Sequence, residues 1–418
     1  MIKLSKIGLI LVPLLASCSQ ENLNSTLSVK VKNPANGGDG KQVFEISLPP
    51  QYSGWKLKQH PSEWIENSEG KAVLLGAASI APGKSISLEL LPPKQVSNNN
   101  VQDRAHAELS VRTGGEWQDA AYSAEGFSFE EVTSFTSPPQ LTDHSYFLRY
   151  EGPGWESDQM GYRLYLDWRN AIDVFVKTNE SVVLPEVGQD GYDSYHKLSS
   201  WGGDALKVGK SLGLGALGRL ADRNQEITTE TPSDSASKQA VMHFQYVENT
   251  EYQLVSNSQL RAEFKVSYEG WSSSEAKADS INVITHYRID AFDPTTHISV
   301  SVSEPSDNIV AGLVAHDGMQ VIKAEHGDWG VIATWGAQSI LADNDNLGLA
   351  LVYRLDQAEK VFEGEHDHLV LFKPSTAFDY KILAVWPKRT TDIQTAKQFE
   401  DYLVNKLKMY SHPLTILN

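Results

Sequence analysis

The chain has 418 residues, 53 acidic against 36 basic, a formal net charge of -17, and one Cys beside 10 Trp and 16 Tyr. That balance disfavours nucleic acid, whose phosphates need clustered Lys and Arg. A single Cys leaves no disulfide framework and no Cys-ligated metal. The aromatic content suits sugar recognition, where ring faces meet C–H faces, although large β-proteins are aromatic-rich in any case.

Lys3 and Lys6 precede an apolar run, Ile7 to Leu15, that is too short to span a bilayer as a mature helix. The run ends in Leu15-Ala16-Ser17-Cys18, the form of a bacterial lipoprotein cleavage site in which Cys18 becomes the lipidated first residue. Residues 1–18 are therefore expected to be a lipoprotein signal peptide and 19–25 a polar tether. Ser19 after the Cys fits an outer-membrane anchor, with the periplasmic or surface face left open. No other segment is apolar enough to cross a membrane, so the lipid is the expected membrane contact.

From Thr26 the chain alternates β-branched runs with turn residues. Leu27–Lys32, Val43–Leu48, Ala72–Ile80, Ser85–Leu91 and Ala105–Val111 read as strands, separated by Asn33-Pro34, Pro49-Pro50 and Pro92-Pro93. This predicts a small N-terminal β-sandwich over 26–138, with a linker at Ser137-Pro138-Pro139. Residues 145–418 predict a larger β domain carrying the active site, with no βαβ alternation. Gln225 to Gln239 is a polar excursion. At the end, Thr391-Asp392 predicts a helix cap before Ile393, Ala396, Phe399, Leu403 and Leu407 at helical spacing.

Three familiar patterns overlap in one glycine-rich tract. Gly213, Gly215 and Gly218 match a dinucleotide fingerprint, but the fingerprint needs a strand before it and a helix after it. Gly209-Lys210-Ser211 resembles a phosphate loop whose spacing from Gly203 is wrong. Gly209, Ser211 and Gly213 match a nucleophile elbow, which needs an α/β sheet. The tract is better read as a glycine-permissive loop that brings backbone close to a ligand or to another strand.

The chemistry-bearing residues concentrate elsewhere. Alternation over Gly161–Asp167 puts Arg163, Tyr165 and Asp167 on one face and Tyr162, Leu164 and Leu166 on the other. Trp155, Glu156, Ser157 and Asp158 lie just upstream; an ion pair of Arg163 with Glu156 is the bland alternative to a cleft. Tyr195-His196 precedes Trp201, Asp204 and Lys207 in a turn-rich segment, where a His suits proton transfer. His316 and Trp335 sit in two further segments. His286, Arg288 and Asp290 share one strand face. His366-Asp367-His368 and Asp343 to Asn346 are weak metal fragments. No cofactor is demanded; a divalent metal is left open.

The block from Trp155 to Asp167, WESDQMGYRLYLD, resembles the bacterial domain of unknown function 4861 family, as do YHKLSSWGGDALKVGKSLGLGALG from Tyr195 and NLGLALVYR from Asn346. The resemblance implies an exported protein of polysaccharide degradation and a β-rich, galactose-mutarotase-like supersandwich. It further implies a carbon–oxygen lyase, a dehydratase of uronic-acid-containing oligosaccharides such as those from ulvan. Such a reaction needs a base, a cation on the uronate carboxylate and an acid. His196 and His316 are the proton-transfer candidates, Arg163 or Lys207 the carboxylate clamp, and Tyr162, Tyr165 or Tyr195 the acid. Trp155, Trp201 and Trp335 would stack on sugar, with Glu156 and Asp204 among the binding residues. The alternatives are a glycoside hydrolase using Glu156 with Asp158 or Asp204, and a non-catalytic glycan-binding lipoprotein.

Overall fold

The computed structural model describes residues 26–67, 69–95, 102–191, 194–221 and 240–417. The expected signal peptide, Cys18, the tether and the polar excursion lie outside the described residues. The chain is mostly β with one C-terminal α-helix.

A nine-stranded antiparallel sheet organises the molecule. Its order is Ser134–Thr136, Asn249–Asn257, Arg261–Trp271, Ile281–Asp290, Thr296–Val302, Ala377–Val385, Asn346–Arg354, Trp329–Ala337 and Gln320–His326. Phe264, Tyr287, Ile298, Leu349, Tyr380 and Ile382 point from its inner face into the main core. Two five-stranded sheets close that core. One runs Gly202–Asp204, Ile172–Lys177, Gly161–Leu164, Gly154–Ser157 and Ala105–Glu108; the other centres on Leu214–Leu220, Ile309–Val314 and Asp367–Phe372.

The sheets do not divide at the expected 137–144 linker. Ala105–Glu108 pairs with Gly154–Ser157, and Ser134–Thr136 pairs with Asn249–Asn257. Residues 105–108 and 134–136 are thus hydrogen-bonded into the larger body, because ladder pairing outweighs a local Pro-Pro break. The smaller unit is a four-stranded and a three-stranded sheet built from residues 27–91 and completed by the last strand, Thr415–Leu417.

The glycine-rich tract is not a cleft loop. Leu214–Leu220 is a fully buried strand. Gly213 has φ +70°, and a Cβ there would lie 2.0 Å from the Ile172 carbonyl oxygen. The close approach is therefore to a neighbouring strand. Ser211 Oγ donates to the Val208 carbonyl at 2.7 Å and accepts from the Gly213 amide at 3.0 Å. It closes a turn and is not a nucleophile.

The helix spans Ala396–Ser411, capped by Thr395, whose Oγ1 accepts from the Gln398 amide at 3.2 Å. The cap lies one turn later than Thr391-Asp392. The expected stripe holds: Ile393, Phe399, Leu403 and Leu407 are buried against Val331, Ala350, Leu383 and Val385 on the outer face of the large sheet. Trp335 belongs to the same cluster.

Candidate active site

The five-stranded sheet around Arg163 has two unlike faces. Trp155, Tyr162, Leu164, Val174 and Val176 enter the main core. Residues paired across strands share a face, and Arg163 pairs with Gly154 and Asp173, Glu156 with Gly161, and Phe175 with Asp204. The second face thus carries Glu108, Glu156, Arg163, Asp173, Lys177 and Asp204, all buried. Burying an ion costs several kcal/mol unless it is paired and hydrogen-bonded, and each of these has partners. Arg149 and the Tyr150 hydroxyl meet Glu108. Lys177 meets Glu156, whose Oε1 also accepts from the Val183 and Leu184 amides at 2.7 Å.

Arg163 is the hub. Its Nη2 donates to Asp173 Oδ2, Asp204 Oδ2 and the Tyr165 hydroxyl, each at 2.8 Å, and its Nη1 donates to the Tyr195 hydroxyl at 3.2 Å. One guanidinium between two buried carboxyls leaves a negative charge unmatched. Burial first, then Asp173, therefore hold the Asp204 carboxyl well above the usual range, with Arg163 opposing. Asp204 thus binds a proton more readily than an isolated carboxyl. Burial also pushes Tyr195 up to about 12. His196 Nε2 lies 3.4 Å from Asp204 Oδ2. His196 is the next group able to carry that proton.

The His196 side chain is 43% exposed and faces a cavity of about 510 Å³. Tyr195, Ser194, Gly191 and Asp190 form one wall, Arg112 and Phe127 a second, and His144, Tyr146 and Glu151 a third. Glu151 accepts from Arg169 at 2.7 Å and lies 3.6 Å from Arg163. Burial alone would raise it, but Arg163 and Arg169 overcome that and hold it below the ordinary carboxylate range. Arg112 Nη2 donates to the Ala124 and Gly126 carbonyls at 2.9 and 2.7 Å, while its buried Nε has no hydrogen-bond partner among the described residues. The third wall is strained: His144, Tyr146 and Glu151 have φ of +54°, +59° and +69°. Non-glycine residues in that region each cost about 1–3 kcal/mol and cluster where geometry serves function.

The structure brings Tyr195, His196, Asp204, Arg163 and Tyr165 together, with Tyr195 and His196 at the cavity and the other three behind it. Several expected residues are elsewhere. Tyr162 is buried in the core, its hydroxyl donating to the Pro294 carbonyl at 2.5 Å. Trp155 donates to Thr296 Oγ1 at 2.8 Å inside the same core. Neither can meet a sugar, and nor can Trp335, packed on Phe399. Glu156 pairs with Lys177 and not with Arg163. Asp158, also buried, pairs with Arg104 at 2.5 Å. Trp201 packs on Phe175. His316 Nε2 bonds the Lys207 carbonyl at 2.8 Å and its Nδ1 faces Gln338, so both residues belong to a loop junction away from the cavity. Sequence reading passed over Arg112, Phe127, His144, Tyr146, Glu151, Asp173 and Asp190. The signal for Asp173 was available, since it alternates with Phe175 and Lys177 on a strand adjacent to Arg163.

Among the described residues no group of three or more His, Cys, Asp or Glu is placed to hold a metal. Both metal fragments carry structural bonds: Asp367 accepts from the Leu212 amide at 3.0 Å, and Asp345 accepts from Trp386 Nε1 at 3.0 Å and pairs with Lys388.

No curated protein matches the chain. Among solved structures it is similar to a protein in glycosyl hydrolase family 38 from Enterococcus faecalis, at 8% identity and a TM-score of 0.39, over 93% of this chain and 47% of that one. It is also similar to an alpha-mannosidase from Enterococcus faecalis V583, at 8% identity and a TM-score of 0.36, over 94% of this chain and 46% of that one. The chain thus spans about half the length of those structures. A family model described as "Domain of unknown function (DUF4861)" matches residues 57–416, which takes in the Arg163 sheet, the cavity and the helix. The chain belongs to the DUF4861 family.

Proposed function

We propose that this protein is a carbohydrate-active enzyme, and that it eliminates water from a uronic-acid-containing oligosaccharide. The observation that carries the reading is His196, open to a cavity and 3.4 Å from the buried Asp204 carboxyl. When the shared proton lies on Nε2, the imidazole donates to Asp204 and Nδ1 is the basic nitrogen. His196 then takes the C5 proton of the uronate. Arg112 pairs with the substrate carboxylate, whose charge grows as the C5–H bond breaks. The C4–C5 double bond forms, the C4–O bond breaks, and Tyr146 or His144 protonates the leaving hydroxyl as water. No electron is gained or lost overall.

The hydrolase reading is supported less. Of its expected carboxylates, Glu156 and Asp158 are buried away from the cavity, and Asp204 is buried behind His196 against Arg163. Glu151 does line the cavity, but two arginines hold it ionised, which removes it as an acid. A purely binding role would favour a shallow aromatic platform, and this cavity presents His144, His196 and Arg112 beside its aromatic residues Phe127, Tyr146 and Tyr195. Incubation with saturated and unsaturated uronate oligosaccharides followed by mass spectrometry separates the three. Loss of one water is expected; gain of one water, or no change, would refute dehydration. His196→Ala is expected to lower turnover by about 10²- to 10⁴-fold. Asp204→Asn keeps an acceptor oxygen toward Arg163 and Nε2 but removes the carboxylate that can stabilise the imidazolium, so turnover falls by at least about 10-fold with the fold retained.

A further inference from the structure

The outer face of the nine-stranded sheet is divided. Beneath the helix it is apolar. Beyond the helix the same face carries Arg261, His286, Arg288, Asp290, His297 and Lys381, because their neighbours Ala262, Tyr287, Ile289, Ile298, Tyr380 and Ile382 point into the core. A cavity of about 450 Å³ opens over this polar half, between the strand Lys41–Ile46 and the end of the helix at Met409 and Tyr410. It shares no lining residue with the His196 cavity.

Most charges here are matched. Arg261 pairs with Asp290 at 2.6 Å and with Glu45, Arg354 with Asp379 at 3.1 Å, and Lys406 with Asp293 at 2.8 Å. Lys381 is not, and Arg288 is matched only by the Asp290 carboxylate that Arg261 already holds. Lys381 is 7% exposed and forms no carboxylate ion pair among the described residues; its Nζ donates to His297 Nδ1 at 3.0 Å. Arg288 Nη2 donates to the same nitrogen at 3.3 Å. Arg288 Nε is buried without a hydrogen-bond partner, with Asp290 Oδ2 at 3.8 Å. The buried Lys381 ammonium therefore shares one neutral acceptor with the partly exposed Arg288 and has no carboxylate counterion of its own among the described residues.

The geometry points to a second binding site, in which Lys381 and Arg288 hold a small oxyanion group, the carboxylate or sulfate ester of an acidic saccharide. The anion supplies the missing counter-charge. It also favours the protonated form of Lys381, whose ammonium is brought down to about 7 by burial, then Arg288, with Asp379 opposing. Lys381 is faced by Arg288, His297, Arg354, Asp293 and Asp379, and by the Trp329 and Tyr410 rings at 4.4 and 5.2 Å. Burial and the surrounding cations hold His297 well below its usual range, so it stays a neutral acceptor.

Titration calorimetry of the full protein with glucuronate and with inorganic sulfate, in buffers of different ionisation enthalpy, tests this. At pH 8 saturable binding with uptake of about one proton is expected, falling toward zero at pH 6. Lys381→Met loses affinity by at least about 10-fold together with the proton uptake. Arg288→Gln loses affinity and, with one of the charges that lowers Lys381 gone, takes up less proton at pH 8 than the unmodified protein, while His196→Ala keeps the sulfate binding and its uptake. Glucuronate bound in preference to sulfate identifies a carboxylate ligand, and the reverse a sulfate ester. Saturable binding of neither overturns the site. So does binding that His196→Ala abolishes and Lys381→Met leaves unchanged, which would put the anion in the first cavity. The proton uptake of the unmodified protein decides the matter even if Lys381→Met fails to fold.

Discussion

A carboxyl buried beside another carboxyl keeps a proton unless enough positive charge is held against both. Asp204 shows one use of this rule, with Arg163 shared between it and Asp173 and His196 standing 3.4 Å away to exchange the proton. Asp367 shows the rule without a cation. Burial pushes it up to about 7, with the Leu212 amide opposing. The unfolded chain releases this proton near the ordinary 3.8, the native state near 7. Between those values the native state holds more protons, so stability falls as pH rises from about 4 to about 7 and stays lower above. Asp367→Asn keeps the acceptor for Leu212 and removes the titration. Its thermal midpoint should match the unmodified protein near pH 4 and exceed it at pH 8, by a stability of the order of a few kcal/mol. Parallel midpoints across that range would contradict the assignment. Arg163, Tyr165, Tyr195, His196 and Asp204 were legible as a group because polar side chains alternate or crowd in their segments. Tyr162, Trp155 and Trp335 were misread, since an aromatic ring is equally suited to a core and to a sugar.

Strands and turns were read with most of their centres in place and with shifted ends, because β-branched alternation marks a strand but not where its ladder stops. The glycine-rich tract is where local pattern misled most. Three enzyme motifs overlap on its glycines, of which Gly213 in fact lets one buried strand approach another. Two of these glycines make a direct comparison. Gly209 has φ +61° with nothing within 4 Å of an added Cβ, whereas Gly213 has φ +70° with the Ile172 carbonyl oxygen 2.0 Å away. Gly209→Ala should therefore cost only backbone strain, about 1–2 kcal/mol. Gly213→Ala adds a clash with a backbone atom that cannot swing aside, and should cost about 2–6 kcal/mol. Equal denaturant midpoints for the two variants would count against the tight strand approach. The helix was legible because its stripe at Phe399, Leu403 and Leu407 is long and periodic; its cap lies at Thr395, whose Oγ1 accepts from the Gln398 amide and donates to Gln398 Oε1 at 3.1 Å.

For the whole molecule, the two chain ends described are tied together: Thr415–Leu417 pairs with Leu27–Lys32, and Leu414 and Ile416 pack on the small sandwich core. Deleting residues 415–417 leaves the edge of Leu27–Lys32 unpaired. Amide hydrogen exchange should accelerate in Leu27–Lys32 and Ser85–Leu91 and stay unchanged in Arg261–Trp271. Unchanged exchange in the small sandwich would show that the last strand is not part of its fold. Composition, alternation and the terminal stripe by themselves determined a β-rich chain with one amphipathic helix, and drew attention to Arg163 and His196. Only the tertiary structure decided which charged residues share a buried face, that strand pairing moves residues 105–108 and 134–136 into the larger body, and that Arg112, His144, Tyr146 and Glu151 wall the cavity. The physical reason is that periodicity is a property of neighbouring residues. Charge pairing, backbone strain and cavity shape depend on groups that only long-range hydrogen bonding and packing bring together.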